Sequence, residues 1–324
     1  MKLKKILESI CLTAVLATAS CHAGDFKVVR FNDAPSYEKS ESTSTNESNK
    51  PELRKARVAF FNAADFRGNT GNLFQIISKE TSKERVECFG TFCRYMGADI
   101  MALSEIDYAE TLKTGEIDQP QELAKSMGDP YNYVVVDKYM DTPLWSTGNA
   151  MVSRFPVKTV QRHLYGEDNP LDDRIGYLFK DFLHVKIKIG DHDVDFILNH
   201  FDDGEGPYSF RKIEEARAVN DYILELVKKN PHRYIISVGD YNAGKDSRTM
   251  KILLSSGLLK SADNLGIPTY PADKPKIDID HILFSKNISS SNFRTFAIRD
   301  ENGKLISDHR GVMVDLELKA YTAP

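Results

Sequence analysis

"RYIISVGDYNAGK", residues 233–245, sets a glycine, an acid and an amide directly behind a nearly pure run of strand formers. Tyr234, Ile235, Ile236, Ser237 and Val238 read as a buried β-strand. That strand ends on Asp240 and Asn242, and polar groups are costly to bury without partners. Either the pair shapes a turn, as Gly, Asp and Asn after a strand usually do, or it holds something at the rim of a sheet. The rest of the chain decides.

The same ending recurs along the sequence. "VAFFN" stops on Asn62, "IMALSE" on Glu105 and "FILNH" on His200. "KIDIDHI" carries Asp280, which alternates with Asp278 so that one of the two faces water. "ISDHRGV" carries Asp308 and His309 just before a final strand. Singly, each has a plainer reading: Glu105 as a solvated strand-end acid, His200 and His309 as surface or core histidines. Together they suggest one shared acidic rim. Crowded carboxylates repel unless a cation sits among them, and oxygen-rich ligand sets suit Mg²⁺, Mn²⁺ or Ca²⁺.

Around these endings the chain alternates between strand and helix patterns. Strands are expected over 57–63, 99–107, 131–139, 149–155, 182–190, 192–201, 234–238, 277–285, 293–299 and 311–319. Helices are expected over 72–97, 209–230 and 247–257. No period of ~20–50 residues repeats and no compositional seam divides the body, so one mixed α/β domain over 57–320 is expected. Hydrophobic residues make up 41% of the 324, enough for a sizeable core.

The N-terminus reads differently. "MKLKK" is a positive start, an apolar run follows, and "CHAG" offers small residues for cleavage after Ala23. Residues 1–23 therefore read as an export signal, sending the chain to the periplasm or outside the cell. The run is shorter than the ~20 apolar residues of a membrane span. Lipid attachment at Cys21 is disfavoured because Thr18 stands where lipoprotein signals carry Leu. Residues 24–56 read as a flexible segment, with "YEKSESTSTNESNKPELRKA" nearly devoid of apolar side chains. "DFKVVRFND" before it could add an edge strand. Cys88 and Cys93 lie on a predicted helix at a spacing that points them to different faces, so they read as small apolar fillers. A local disulfide would need the helix to break at Gly90.

"FFNA", "ALSEID", "GNAMVSRFPV", "ILNHF", "VGDYNA", "IDHILFS" and "SDHRGV", in that order, resemble the successive signatures of the endonuclease/exonuclease/phosphatase superfamily, the DNase I-like fold. The likeness covers residues 57–318. It implies a four-layer α-β-β-α sandwich acting as a monomer that hydrolyses phosphate esters with Mg²⁺ or Mn²⁺, Ca²⁺ being a further candidate. Glu105 matches the main metal ligand, Asn62 the amide at the metal beside it, and Asp308 a further ligand. Asp240 matches the acid of the Gly-Asp-x-Asn motif and Asn242 its phosphate-holding amide. His309 matches the catalytic histidine, Asp280 the acid that orients it, and His200 the first histidine, at the phosphate. Asn149 fits a supporting place near the phosphate.

Elementary chemistry agrees with those roles. A phosphodiester is anionic and repels a nucleophile, so charge must be neutralised where it develops. A bound metal does this and lowers the pKa of a water. Histidine supplies a base near neutrality when a carboxylate fixes its tautomer.

The substrate is less legible. Inositol-polyphosphate phosphatases of this superfamily carry a Pro-x-Trp-Cys-Asp-Arg signature, whereas this chain reads "PKIDIDHI". Net charge is −4 and no block is strongly basic, which disfavours holding nucleic acid by charge alone. A small or lipid-derived phosphate ester is therefore preferred. Nucleic acid stays open as the substrate of an extracellular nuclease, which would want cations flanking its cleft; Arg67, Arg154 and Arg211 are too scattered along the chain to be assigned that place. Trp145, the single tryptophan, either stacks on a ligand or plugs its loop. A binding scaffold that has lost its chemistry is disfavoured, since the matched Glu, His and Asp residues are all present.

Overall fold

Alternate residues of a strand turn to one face, and in this chain both faces of two sheets are apolar. The computed structural model describes residues 27–30, 54–69, 75–108, 111–131, 133–141, 146–165, 181–204 and 210–319. The export signal with Cys21, Trp145 and residues 31–53 of the N-terminal segment lie outside the described residues.

The strands are β1 (Lys27–Arg30), β2 (Lys55–Asn62), β3 (Ile100–Ile106), β4 (Tyr133–Asp141), β5 (Ser146–Ser153), β6 (Val157–Leu164) and β7 (Asp181–Ile189). They continue with β8 (His192–His200), β9 (Tyr234–Asp240), β10 (Leu259–Ser261), β11 (Asp280–Ser285), β12 (Ile288–Phe296) and β13 (Gly311–Leu318). The helices are α1 (Lys79–Tyr95), α2 (Gln119–Met127), α3 (Phe210–Lys229) and α4 (Arg248–Leu253). One sheet has seven strands in the order β1-β4-β5-β3-β2-β13-β12, the other six in the order β10-β11-β9-β8-β7-β6.

Val58, Phe60, Ile100, Ala102 and Met151 of the first sheet meet Leu183, Phe196, Leu198, Val238 and Ile282 of the second in the central layer. The outer face of the first sheet, with Phe61 and Leu103, packs on Val86 and Phe89 of α1 and Leu123 of α2. The outer face of the second, with Ile197 and Ile235, packs on Val219 and Ile223 of α3 and Met250 of α4. These are the four layers the sequence resemblance implies.

Two pairings are parallel, β2 with β3 and β8 with β9, each bridged by a helical crossover. The second fixes the site. Its register sets His200 beside Asp240, and the antiparallel β9–β11 ladder sets Asp240 beside Asp280. Gly239 is required there, because a Cβ would stand 2.2 Å from the Asn199 carbonyl oxygen.

Boundaries differ from expectation for local reasons. Helix α1 starts after Ser78, not at residue 72, because the Ser78 side chain accepts from the Thr81 amide and caps it. Ser247 caps α4 in the same way. Strand β12 begins at Ile288, five residues before the expected start, since its "SSS" stretch carries no apolar signal. Strand β6 and helix α2 were not anticipated. Lys27–Arg30 pairs with β4 as an edge strand and β2 begins at Lys55, so the flexible segment is not flexible throughout. Cys88 and Cys93 are free thiols on an unbroken helix.

Candidate active site

The central layer ends in a polar row because strand alternation carries the inward face past its last apolar residue. Asn62 stands two residues after Phe60, Asn149 two before Met151, and His200 two after Leu198. Asp240 stands two after Val238 and Asp280 two before Ile282. All five are buried at one end of the sandwich. Asp308 and His309 join them from the turn before β13. Asp240 faces the interior of this shared rim, and it also accepts from the Asn242 amide in the turn that follows.

Glu105 needs an irregularity to reach that rim. The β3–β5 register shifts between Leu103 and Ile106, and Glu105 adopts φ +51°. A left-handed backbone costs a non-glycine residue about 1–2 kcal/mol. Asn242 is left-handed as well, at φ +47°. Such strain gathers at functional sites.

Hydrogen bonds tie the row together. Asn62 Nδ2 donates to Glu105 Oε1 at 3.0 Å and to Asp240 Oδ2 at 3.0 Å, while its Oδ1 accepts from the Ala64 amide. In this orientation Asn62 steadies two carboxylates and turns its oxygen away from them. Asp240 Oδ1 accepts from the Asn242 amide at 2.8 Å, and Asn242 Nδ2 donates to the Phe201 carbonyl. His200 Nε2 lies 3.6 Å from Glu105 Oε1.

His309 Nδ1 lies 3.0 and 3.2 Å from the two Asp280 oxygens, which leaves Nε2 facing Asp240 Oδ2 at 3.7 Å. Ser307 Oγ accepts from the His309 amide and donates to the Asn62 carbonyl, locking this turn to β2. Thr269 Oγ1 accepts from the Asp280 amide at 3.3 Å.

The electrostatics follow from burial and crowding. Burial and then the charge of Asp280 push Asp240 up to about 7, against His309 and the hydrogen bonds from Asn242 and Asn62. Burial raises Asp308 too. Burial alone would lower His309, but Asp280, Asp240 and Asp308 overcome it and push the imidazolium up to about 10. A rim that draws in protons is short of positive charge.

Asp240, Asp280 and His309 offer ligand atoms within 4.8 Å of one another. Asp280, however, spends both oxygens on His309, so these three read better as a proton relay. Glu105 and Asp308 supply hard oxygen donors beside it, and Glu105 keeps 29% of its side chain exposed. A donor set of carboxylate oxygens fits a hard divalent cation.

Several neighbours carried no sequence signal. The Tyr270 ring lies 4.8 Å from the His309 ring, brought there by a loop with neither strand nor helix period. Asp65 is buried beneath Glu105 and bonded to Lys113 and Arg67. Burial pushes Asp65 up to about 6, against the pull of Lys113 and Arg67. Of the three arginines a nuclease would want beside its cleft, Arg67 is buried on Asp65 and Arg211 lies 3.7 Å from Asp202. Arg154 bonds Asp99 at 2.9 Å at the opposite end of β3 and is not at the site.

Comparison with known proteins gives the same answer as the geometry. No curated protein matches the chain in sequence. Among solved structures, an endonuclease/exonuclease/phosphatase from Beutenbergia cavernae superposes with a TM-score of 0.63 at 19% identity, over 82% of this chain and 72% of that one. A mannosyl-6-phosphatase from Bacteroides thetaiotaomicron gives 0.58 at 17%, over 81% and 99%. Truncated TDP2 from Caenorhabditis elegans gives 0.59 at 14%, over 82% and 100%. At these identities the likeness speaks for the fold. The family model for the Endonuclease/Exonuclease/phosphatase family matches residues 60–309, from β2 through His309, and the chain belongs to that family.

Proposed function

We propose that this protein is an exported, divalent-cation-dependent hydrolase of phosphate esters, acting on a small or lipid-derived ester. The observation that carries the reading is the Asp280–His309 pair, bonded at 3.0 Å and set beside the buried acid Asp240. Glu105 and Asp308 would hold Mg²⁺ or Mn²⁺, with Asn62 steadying Glu105. Such a cation neutralises charge on the phosphoryl oxygens as the ester is attacked.

The chain's own groups would do the rest. With the acidic rim compensated, His309 passes to its neutral form and takes the proton of the attacking water at Nε2, its tautomer fixed by Asp280 at Nδ1. Asp240 orients that water. Asn149 and Asn242 donate to phosphoryl oxygens, and His200 stabilises the phosphate or the leaving oxygen.

Two observations favour a small ester over nucleic acid. Arg67 and Arg211, which a nuclease would want free along a phosphate backbone, are engaged by carboxylates, and Arg154 lies at the far end. One structural neighbour is described as a mannosyl-6-phosphatase. Export rests on residues 1–23, and sequencing the N-terminus of secreted protein would check cleavage after Ala23; sedimentation would check the monomer. No helix among the described residues is long and apolar enough to cross a membrane.

The deciding experiment is hydrolysis of bis-p-nitrophenyl phosphate, sugar phosphates, sphingomyelin and plasmid DNA, with Mg²⁺ and with EDTA. Turnover of a small or lipid ester in Mg²⁺ alone is expected. Cleavage of DNA alone would move the assignment to a nuclease. Full turnover in EDTA would remove the cation from the mechanism.

A further inference from the structure

The inward-facing polar row does not stop at Asn149. Asp137 stands two residues after Val135 on β4, Arg162 two after Val160 on β6, and Asp181 two before Leu183 on β7. Val135 and Leu183 belong to the central layer and Val160 packs against it, so all three polar residues face inward. Register places them beside the site. Asp137 pairs with Asn149, and Phe182, next to Asp181, pairs with Asn199, next to His200.

Arg162 Nε donates to Asp181 Oδ2 and lies 3.3 Å from Asp137 Oδ1. Both acids are buried, while Arg162 keeps 17% of its side chain exposed. A structural ion pair would close its hydrogen bonds, because an unmade one in the interior is costly. Here some stay open: Asp181 Oδ1 and both amide atoms of Asn149 are buried without partners. Arg162 makes its hydrogen bond to Asp181 through Nε, and its side chain is partly exposed.

An open carboxylate oxygen beside a partly exposed guanidinium makes a mixed set of acceptor and donors. A hydroxyl, which donates and accepts at once, matches such a set. A further phosphate does not, since two carboxylates share one guanidinium and the group is net negative. We infer that Asp181, Arg162 and Asp137 form the subsite for the non-phosphoryl part of the substrate, and that it takes a neutral polyhydroxylated group of sugar type. The inference rests on the phosphate-ester reading of the neighbouring site.

The test is calorimetric binding in Mg²⁺ of inorganic phosphate, a hexose 6-phosphate and a hexose bisphosphate, with turnover measured alongside. The hexose monophosphate should bind about 10- to 100-fold tighter than inorganic phosphate, the worth of one or two hydrogen bonds to charged groups. Asp181→Leu should cut that margin to within about threefold and leave inorganic phosphate unchanged; it costs stability, because one partner of a buried pair is lost, and Asp137 remains beside the Arg162 guanidinium to compensate it in part. Should that variant not fold, Arg162→Lys keeps the charge, removes the fork and should lose the margin equally. Equal binding of phosphate and hexose phosphate would overturn the subsite, as would an equal loss of both in the variants or tighter binding of the bisphosphate. A margin that depends on Asp181 without turnover of any ester would leave the subsite standing and sink the hydrolase reading instead.

Discussion

The two ends of the sandwich carry similar residues in opposite states. At the end away from the site, Arg57 holds Asp315 through Nε at 2.5 Å and Nη2 at 3.0 Å, and Asp99 accepts from the Arg57 amide and forms an ion pair with Arg154. The hydrogen bond from Arg57 holds Asp315 below the usual carboxylate range. At the other end Asp240 is pushed up to about 7, because burial and Asp280 outweigh the one imidazolium nearby. One end is a finished set of ion pairs. The other is unfinished, and its deficit is one of positive charge, which a bound cation would make good.

Substitutions should separate the two ends. The largest effect is expected for Glu105→Gln, which removes a charged donor and should cost about a thousandfold in rate, the equivalent of several kcal/mol of charge stabilisation. Its melting temperature should hold or rise, since repulsion is relieved. Steady-state kinetics beside calorimetry would check this, and a variant that unfolds would make Glu105 structural. Asp240→Asn should cost about 10²- to 10³-fold in rate with little loss of stability, because burial already favours the neutral form. An unstable but active Asp240→Asn enzyme would return Asp240 and Asn242 to a plain turn.

Asp315→Asn should do the reverse and lose about 1 kcal/mol or less of stability, the usual worth of a partly exposed pair, at unchanged turnover. Loss of turnover there would break the contrast between the ends.

How much of this was legible follows from the same contrast. Asn62, Glu105, His200, Asp240 and Asp280 announced themselves because each closes or opens an apolar run; strand period two carries all but Glu105 to one face, and Glu105 joins them through the irregularity in β3. The order of the motifs then gave the four layers. Tyr270, Asp65 and Lys113 were silent because loops place them and their partners are far apart in sequence. Arg162 was hidden for another reason: β6, VKTVQRHL, is mostly polar, with neither an apolar run nor a period-two alternation to mark it as a strand. Arg154 had no place assignable from sequence, since position after a strand does not say which end of the sandwich a residue reaches.

The central claim is that Asp280 and His309 work as a pair in an acidic rim. His309 is raised, so its contribution to stability is complete below the unfolded histidine value of about 6.5 and is lost as pH rises through about 10. The same sign governs catalysis: a base must be neutral, so the rate should rise with pH along the titration of His309. The most direct measurement is the pH–rate profile of Asp280→Asn against the native protein in saturating Mg²⁺. The ascending limb should move to lower pH, because the imidazolium loses the carboxylate that favours it, and the plateau should fall by about 10²- to 10⁴-fold as orientation is lost. A limb that stays where it was would show that His309 is not a base oriented by Asp280.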